Sequence, residues 1–174
     1  MFDNDPISRI EWRDSKTLDA NDYNPNVVMS TEMRLLERSL LLTGWVQPVL
    51  VDRAGTIIDG FHRVTLSRMS KELRERYGGM VPCAVLDIDR PQAMIVTIRM
   101  NRAKGSHIAL RMSAIIASLV NDHHMDPQEI AKQIGADKSE IDLLLQENVF
   151  KVRKIEDWKW SKAWEPAPKS SRAK

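Results

Sequence analysis

The chain holds a single cysteine, Cys83, among 174 residues. That excludes an intramolecular disulfide and any cysteine-rich zinc site, and it fits a reducing, cytoplasmic setting. No stretch of about 18 apolar residues occurs, so no membrane-spanning helix is expected. The opening Met1-Phe2-Asp3-Asn4-Asp5 lacks the basic-then-apolar order of a secretion signal. Aromatic residues are scarce at 6%, yet three of the five tryptophans (Trp158, Trp160, Trp164) crowd into the stretch after residue 150. No internal repeat or low-complexity block precedes that point.

Hydrophobic residues make up 43% of the chain and charged residues 29%, the composition of a globular protein. The length suits one domain, or one domain with a small satellite. A net charge of +2 hides an asymmetry. From Lys151 to Lys174 eight Lys/Arg face three acids, a local +5, which leaves −3 on the first 150 residues. The body is mildly acidic and the tail is basic.

Ile7 to Trp12 reads as a strand. Tyr23-Asn24-Pro25-Asn26 is turn chemistry. Ser30 or Thr31 can cap a helix whose apolar stripe is Met33, Leu36, Leu40 and either Leu41 or Leu35, with Gly44 as its C-terminal stop. Val49–Asp52 and Thr56–Asp59 flank a Gly55 turn and read as a hairpin or as closely spaced strands. Gly60 breaks the second strand, and one helix is expected from about His62 to Arg76, ended by Gly78-Gly79. Val81 to Leu86 is a further strand. Helical patterning resumes at Pro91, with a kink expected at Gly105 and an amphipathic helix from His107 to Val120 carrying Ile108, Met112, Ile115, Ile116 and Leu119. The fold class is α+β: residues 1–104 form a small mixed sheet with helices, 105–150 a helical segment, and 151–174 a basic tail.

The chemically informative stretch is Ile57-Ile58-Asp59-Gly60-Phe61-His62-Arg63. A strand ends, one glycine turns the chain, and a helix begins at once. The first N–H groups of a helix have no partner inside it and sit at the positive end of its dipole, where an anion such as phosphate settles. His62 and Arg63 add donors, and the Arg63 guanidinium is a planar fork suited to two phosphate oxygens. The plainer alternative is that Asp59 caps the helix while Arg63 makes a surface ion pair.

These residues resemble the glycine-arginine box of the ParB/sulfiredoxin superfamily. The surrounding order is similar too. A capped helix leads into Gly44-Trp45-Val46-Gln47-Pro48, which resembles the family's G-x-x-x-P, followed by strand, turn, strand and box. A second box stands at Met100-Asn101-Arg102-Ala103-Lys104-Gly105. The resemblance covers roughly residues 15 to 145. It implies a ParB/sulfiredoxin-like fold and a nucleotide, ATP or CTP, held through its phosphates by Gly60, Phe61, His62, Arg63, Asn101 and Lys104. By the same resemblance Asn101 would also meet Mg²⁺. Met100 stands where ParB-type members carry a glutamate, which removes a hard-cation ligand.

Three branches of the family make different demands. Sulfiredoxins carry a nucleophilic cysteine where this chain has Phe61, so sulfiredoxin activity is excluded on chemistry. A branch resembling free-serine kinases reads Asp-Gly-His-His-Arg, and Asp59 to Arg63 matches four of those five positions. There Asp59 would be the catalytic base or a Mg²⁺ ligand, with Glu11 and Asp22 as candidates for a second acid. The compact length resembles the short ParB-like proteins of phages and mobile elements, which implies a role in DNA transactions or gene regulation. A DNA-binding or regulatory adaptor with a degenerate pocket is the non-enzymatic alternative.

Asp126 to Gln146 resembles a helix-turn-helix, with Ala131 and Gly135 at the small-residue positions. From Asp137 to Glu147, however, four acids face Lys138 alone, and such a helix meets repulsion from DNA phosphates. Packing or homodimerisation is the competing role. In the tail, Lys151, Arg153, Lys154, Lys159 and Lys162 interleave with Trp158 and Trp160, pairing phosphate neutralisation with faces on which bases stack. The alternative is that these tryptophans fold back onto the domain. His123-His124 would point about 100° apart on a helix and make a poor metal pair.

Overall fold

A computed structural model describes residues 2–23, 30–103 and 109–146. After a 3-10 turn over Pro6–Ser8, strand β1 runs Ile10–Asp14 and a two-residue strand β2 runs Asp19–Ala20. The first strand therefore begins three residues later than Ile7. Pro6 has no N–H and a preset φ, which suits the first position of a helical turn better than a ladder. Helix α1 (Ser30–Thr43) stops at Gly44, whose φ is +75°. On it Leu40 is buried with Met33, Leu36 and Leu41 packed around it, while Leu35 is 63% exposed. Leu41, not Leu35, completes the stripe.

Strands β3 (Val49–Asp52) and β4 (Thr56–Asp59) form the expected hairpin. Their register slips between Leu50, opposite Asp59, and Val51, opposite Ile57, so Ile58 is the extra residue of a bulge. Next comes not one helix but two, α2 (Phe61–Met69) and α3 (Lys71–Tyr77), divided at Ser70. The Ser70 side chain accepts from the Leu73 N–H, so a new N-cap interrupts the run. Strand β5 (Met80–Leu86) follows.

The strands form one mixed sheet in the order β1-β5-β3-β4-β2, with β5/β3 and β4/β2 parallel and the other pairs antiparallel. Leu18, Val49, Val51, Ile57, Val81 and Cys83 bury one sheet face against Val64 of α2. Arg68 of α2 donates to the Ser15 and Leu18 carbonyls, tying the helix to the turn before β2.

Helix α4 (Arg90–Ala103) precedes α5 (Ala109–Asn121), α6 (Pro127–Ile134) and α7 (Lys138–Leu145). Their shared core holds Met94, Ile95 and Ile98 of α4 with Ile115, Ile116, Leu119, Ile130, Ile134, Ile141 and Leu144. Burying each such side chain contributes roughly 1.5–3 kcal/mol. Helix α4, grouped with the first domain by its sequence position, thus packs into the helical layer as well as onto β4. The α6–α7 turn uses Gly135 at φ +70°, and Arg99 and Arg102 of α4 donate to its Gln133 and Gly135 carbonyls. His123 and His124 lie in the turn after α5 rather than on a helix, with His124 at φ +53°. The Gly105 kink and Ile108 fall outside the described residues. No helix among the described residues is long and apolar enough to cross a membrane.

Candidate functional site

The corner at Gly60 is built from four elements. Strand β4 delivers Asp59, which is 8% exposed, and Gly60 turns the chain at φ +101°, a backbone angle that side chains with a Cβ rarely adopt. Helix α2 starts on the next residue, and its first internal hydrogen bond runs from the Val64 N–H to the Gly60 carbonyl. The N–H groups of Phe61, His62 and Arg63 therefore find no acceptor within the helix. The cap residue has no side chain to offer them. Helices α3, α6 and α7 differ, each capped by a side-chain oxygen, of Ser70, Asp126 and Asp137 respectively. Gly60, Phe61 and His62 are all partly accessible.

Arg63 is where the sequence expectation and the geometry diverge most. Its side chain is buried at 8% exposure and turns inward, beneath the glycine. Nη1 donates to the Gln47 carbonyl at 2.5 Å and the Pro48 carbonyl at 2.9 Å, and Nη2 donates to Asp59 Oδ2 at 3.2 Å. Desolvation pulls the Arg63 pKa down and the Asp59 carboxylate pulls it back up. Asp59 thus binds the Arg63 guanidinium, one helical turn away, and the ion pair is internal rather than on the surface. Phe61 packs against the sheet core and sets its ring edge-on to His62 at 5.7 Å, so it anchors the helix start and brings only its backbone N–H to the corner.

Helix α4 closes the other side. Thr97 Oγ1 donates towards the Ile58 carbonyl at 3.2 Å and the Ala93 carbonyl at 3.0 Å. Ile58 is the bulged residue, and its carbonyl is one that Thr97 takes. On the neighbouring strand end, Asn21 Nδ2 donates to the Ile57 carbonyl at 2.5 Å, while its buried Oδ1 has no protein partner. Nothing in the sequence around Thr97 or Asn21 marks either residue as part of the corner. A hydroxyl on a helix facing a bulged strand leaves no local signal. Asn101 lies one turn beyond Thr97 on the same face of α4, and Met100 and Asn101 are both partly buried.

The remaining candidates scatter. Glu11 accepts from Arg13 on β1, three strand spacings from β4, or about 14 Å across the sheet. Asp22 is bound by both oxygens to Arg90 Nη2 at 2.8 Å, which holds its carboxyl below the usual range. That pair stands at the mouth of a separate cavity of about 340 Å³ lined by Tyr23, Met94, Ile115 and Ser118 among others. Burial pushes the Tyr23 hydroxyl pKa up, and that hydroxyl reaches Thr97. Lys104 and the tail residues Lys151, Arg153, Lys154, Trp158, Lys159, Trp160 and Lys162 lie outside the described residues.

The corner suits an anion: the first N–H groups of α2 lie at the positive end of its dipole, and Gly60 brings no side chain to the turn. It does not suit a metal cage. The Asp59 carboxylate already holds a guanidinium, and no group of three or more His, Cys, Asp or Glu side chains converges among the described residues.

The fold is α+β and is similar to that of solved ParB N-terminal domains. The structure superposes on a Pnob8-like ParB-N domain with a TM-score of 0.55 at 15% identity, covering 87% of this chain and 75% of that one. It superposes on the truncated chromosome-partitioning protein ParB of Caulobacter crescentus, solved in complex with the centromeric parS site, with a TM-score of 0.53 at 19% identity over 83% and 76%. In sequence, the chain is 35% identical over 167 residues to the uncharacterized protein YbdM of Escherichia coli (strain K12), covering 94% of this chain and 79% of that protein. The chain belongs to the YbdM family. No family model matches it.

Proposed function

We propose that the protein is a ParB-like nucleotide-binding protein acting on DNA, with the nucleotide phosphates seated on the N–H groups of Phe61 and His62 beside the His62 imidazole. The observation that carries this reading is the glycine-started α2, the described helix whose first turn has a cap with no side chain, seated on a buried ion pair. Asp59 and Arg63 shape the seat from below, and Asn101 approaches from α4. Any Mg²⁺ arrives on the phosphates. The likeness to a ParB solved with parS supports the fold, and the sequence boxes support the ligand. DNA would be met by the tail, through Lys151, Arg153, Lys154, Lys159 and Lys162 with Trp158 and Trp160. The α6–α7 pair would serve packing or self-association, since its second helix is acidic.

Calorimetric titration with ATP, CTP, GTP and inorganic tripolyphosphate, each with Mg²⁺, tests the seat. Binding of a nucleotide, competed by tripolyphosphate and weakened at least tenfold by Gly60→Val, is the expected outcome. No binding by any of the four overturns it. Turnover that starts only when a hydroxyl-bearing small molecule is added would favour the kinase alternative, with Asp59 as base. The adaptor alternative predicts DNA binding that no nucleotide alters.

A further inference from the structure

We infer that Arg63 is a positioning residue rather than a phosphate ligand: it fastens the Gly44–Pro48 loop to the Gly60 corner and thereby sets which nucleoside the phosphate seat accepts. This inference rests on the proposed phosphate seat.

The loop is pinned at both ends. At its start Gly44 takes φ +75° with the Tyr77 hydroxyl packed where its Cβ would project, and Trp45 sits between two core clusters, edge-on to Tyr77 at 6.4 Å. At its end the Gln47 and Pro48 carbonyls both receive Arg63 Nη1. Between the pins Val46 stands 81% exposed. The anchored end leads directly into the strand beside the seat, where a Cβ on Gly60 would lie 3.3 Å from Val49 Cα. A ligand with its phosphates on α2 has this loop as its neighbour.

The chemistry favours a fixed strut over a mobile contact. Two backbone carbonyls and one carboxylate fill both ends of the fork, and each charge-assisted bond is about twice as strong as a neutral one. Withdrawing the guanidinium to reach a phosphate would break the buried ion pair with Asp59 and take its donor from both carbonyls, and breaking a buried pair is strongly unfavourable. Arg63 therefore transmits the position of the loop to the corner without touching the ligand. Lysine cannot replace it, since an ammonium lacks the planar fork that spans two carbonyls and a carboxylate.

The test is calorimetry of wild type and Arg63→Gln with tripolyphosphate, ATP and CTP, alongside amide hydrogen exchange of residues 44–49. In the wild type, tripolyphosphate binds and one nucleotide is preferred. In Arg63→Gln the preference between ATP and CTP falls at least fivefold and the loop amides exchange at least tenfold faster, while tripolyphosphate affinity changes less than threefold. A parallel tenfold loss for tripolyphosphate and both nucleotides makes Arg63 a direct ligand and overturns the inference. An unchanged preference with only a lower Tm makes it merely structural and also overturns it, as does a wild type that binds ATP and CTP alike. A wild type that binds none of the three fails the phosphate seat itself. If Arg63→Gln does not fold, Asp59→Asn, which retains the carbonyl bonds but removes the ion pair, is measured instead. It should shift preference and loop exchange in the same direction by a smaller factor, and no shift in either overturns the inference.

Discussion

Nη2 of Arg63 lies 3.0 Å from the point where a Cβ on Gly60 would sit, so the glycine and the buried guanidinium are complementary surfaces of one turn. Gly60→Ala must accept a left-handed backbone and also displace an anchored group, together costing about 2–3 kcal/mol. Gly78 is the control. It is also left-handed at φ +62°, but nothing lies within 4 Å of its added Cβ. Gly78→Ala should cost only about 1–2 kcal/mol, the backbone penalty alone. Thermal denaturation of the two variants measures the difference, and nucleotide affinity should fall only for Gly60→Ala.

Thr97→Val removes one hydroxyl at nearly constant volume and leaves the Ile58 carbonyl without its side-chain donor. A buried polar group deprived of its partner costs about 1–3 kcal/mol. Chemical denaturation should show a lower midpoint with an unchanged slope, because the surface exposed on unfolding stays the same.

Arg102 of α4 forms an ion pair with Glu140 of α7, with side chains 23% and 31% exposed, and also donates to the Gly135 carbonyl. A double-mutant cycle of Arg102→Gln and Glu140→Gln should yield a coupling of about 0.5–1 kcal/mol, above the typical exposed pair and reduced by salt. A coupling near zero would mean that α4 holds the α6–α7 turn through its bonds to the Gln133 and Gly135 carbonyls and the shared apolar core, without help from the ion pair.

Burial pushes the Cys83 thiol up to about 11. The folded state therefore disfavours the thiolate, and at pH 8 the native thiol should react with iodoacetamide roughly a hundredfold more slowly than the unfolded chain. A folded pKa raised above the unfolded one also sets the sign for stability. The contribution is fully present below the unfolded value near 9 and is lost as pH rises towards 11. Alkylation rates with and without denaturant, and a denaturation series across that window, check both statements.

Deleting residues 151–174 removes eight Lys/Arg and three acids. If the tail carries the DNA contacts, the truncated chain should bind duplex DNA at least tenfold more weakly, with a shallower dependence of log K on log salt. Nucleotide binding at the Gly60 corner should not change. Equal DNA affinity in both forms would return the nucleic-acid role to the folded part of the molecule.

Local chemistry wrote much of this structure into the sequence. The β3–β4 hairpin follows from two β-branched runs around Gly55, the α1 stop from Gly44, the start of α6 from Asp126 and Pro127, and the α6–α7 turn from Gly135. Each depends on dihedral preferences and hydrogen bonds within a few residues. The strand–glycine–helix corner was legible for the same reason. The split between α2 and α3 was less so, since Ser70 can act as a cap or sit within a helix depending on what packs against it.

Tertiary structure alone decided what the corner's side chains do. Arg63 reads in sequence as a phosphate fork, yet the Gln47 and Pro48 carbonyls, 16 and 15 residues away, reach it first and bury it against Asp59. Thr97 finds the Ile58 carbonyl across 39 residues, at the bulge in β4. Glu11, near in composition to what a phosphoryl-transfer site needs, is placed three strands away by the sheet order. Periodicity and capping act over one or two turns and are written locally. Which donor meets which acceptor depends on how the strands are ordered and how helices cross them, and that is settled only when the whole chain packs.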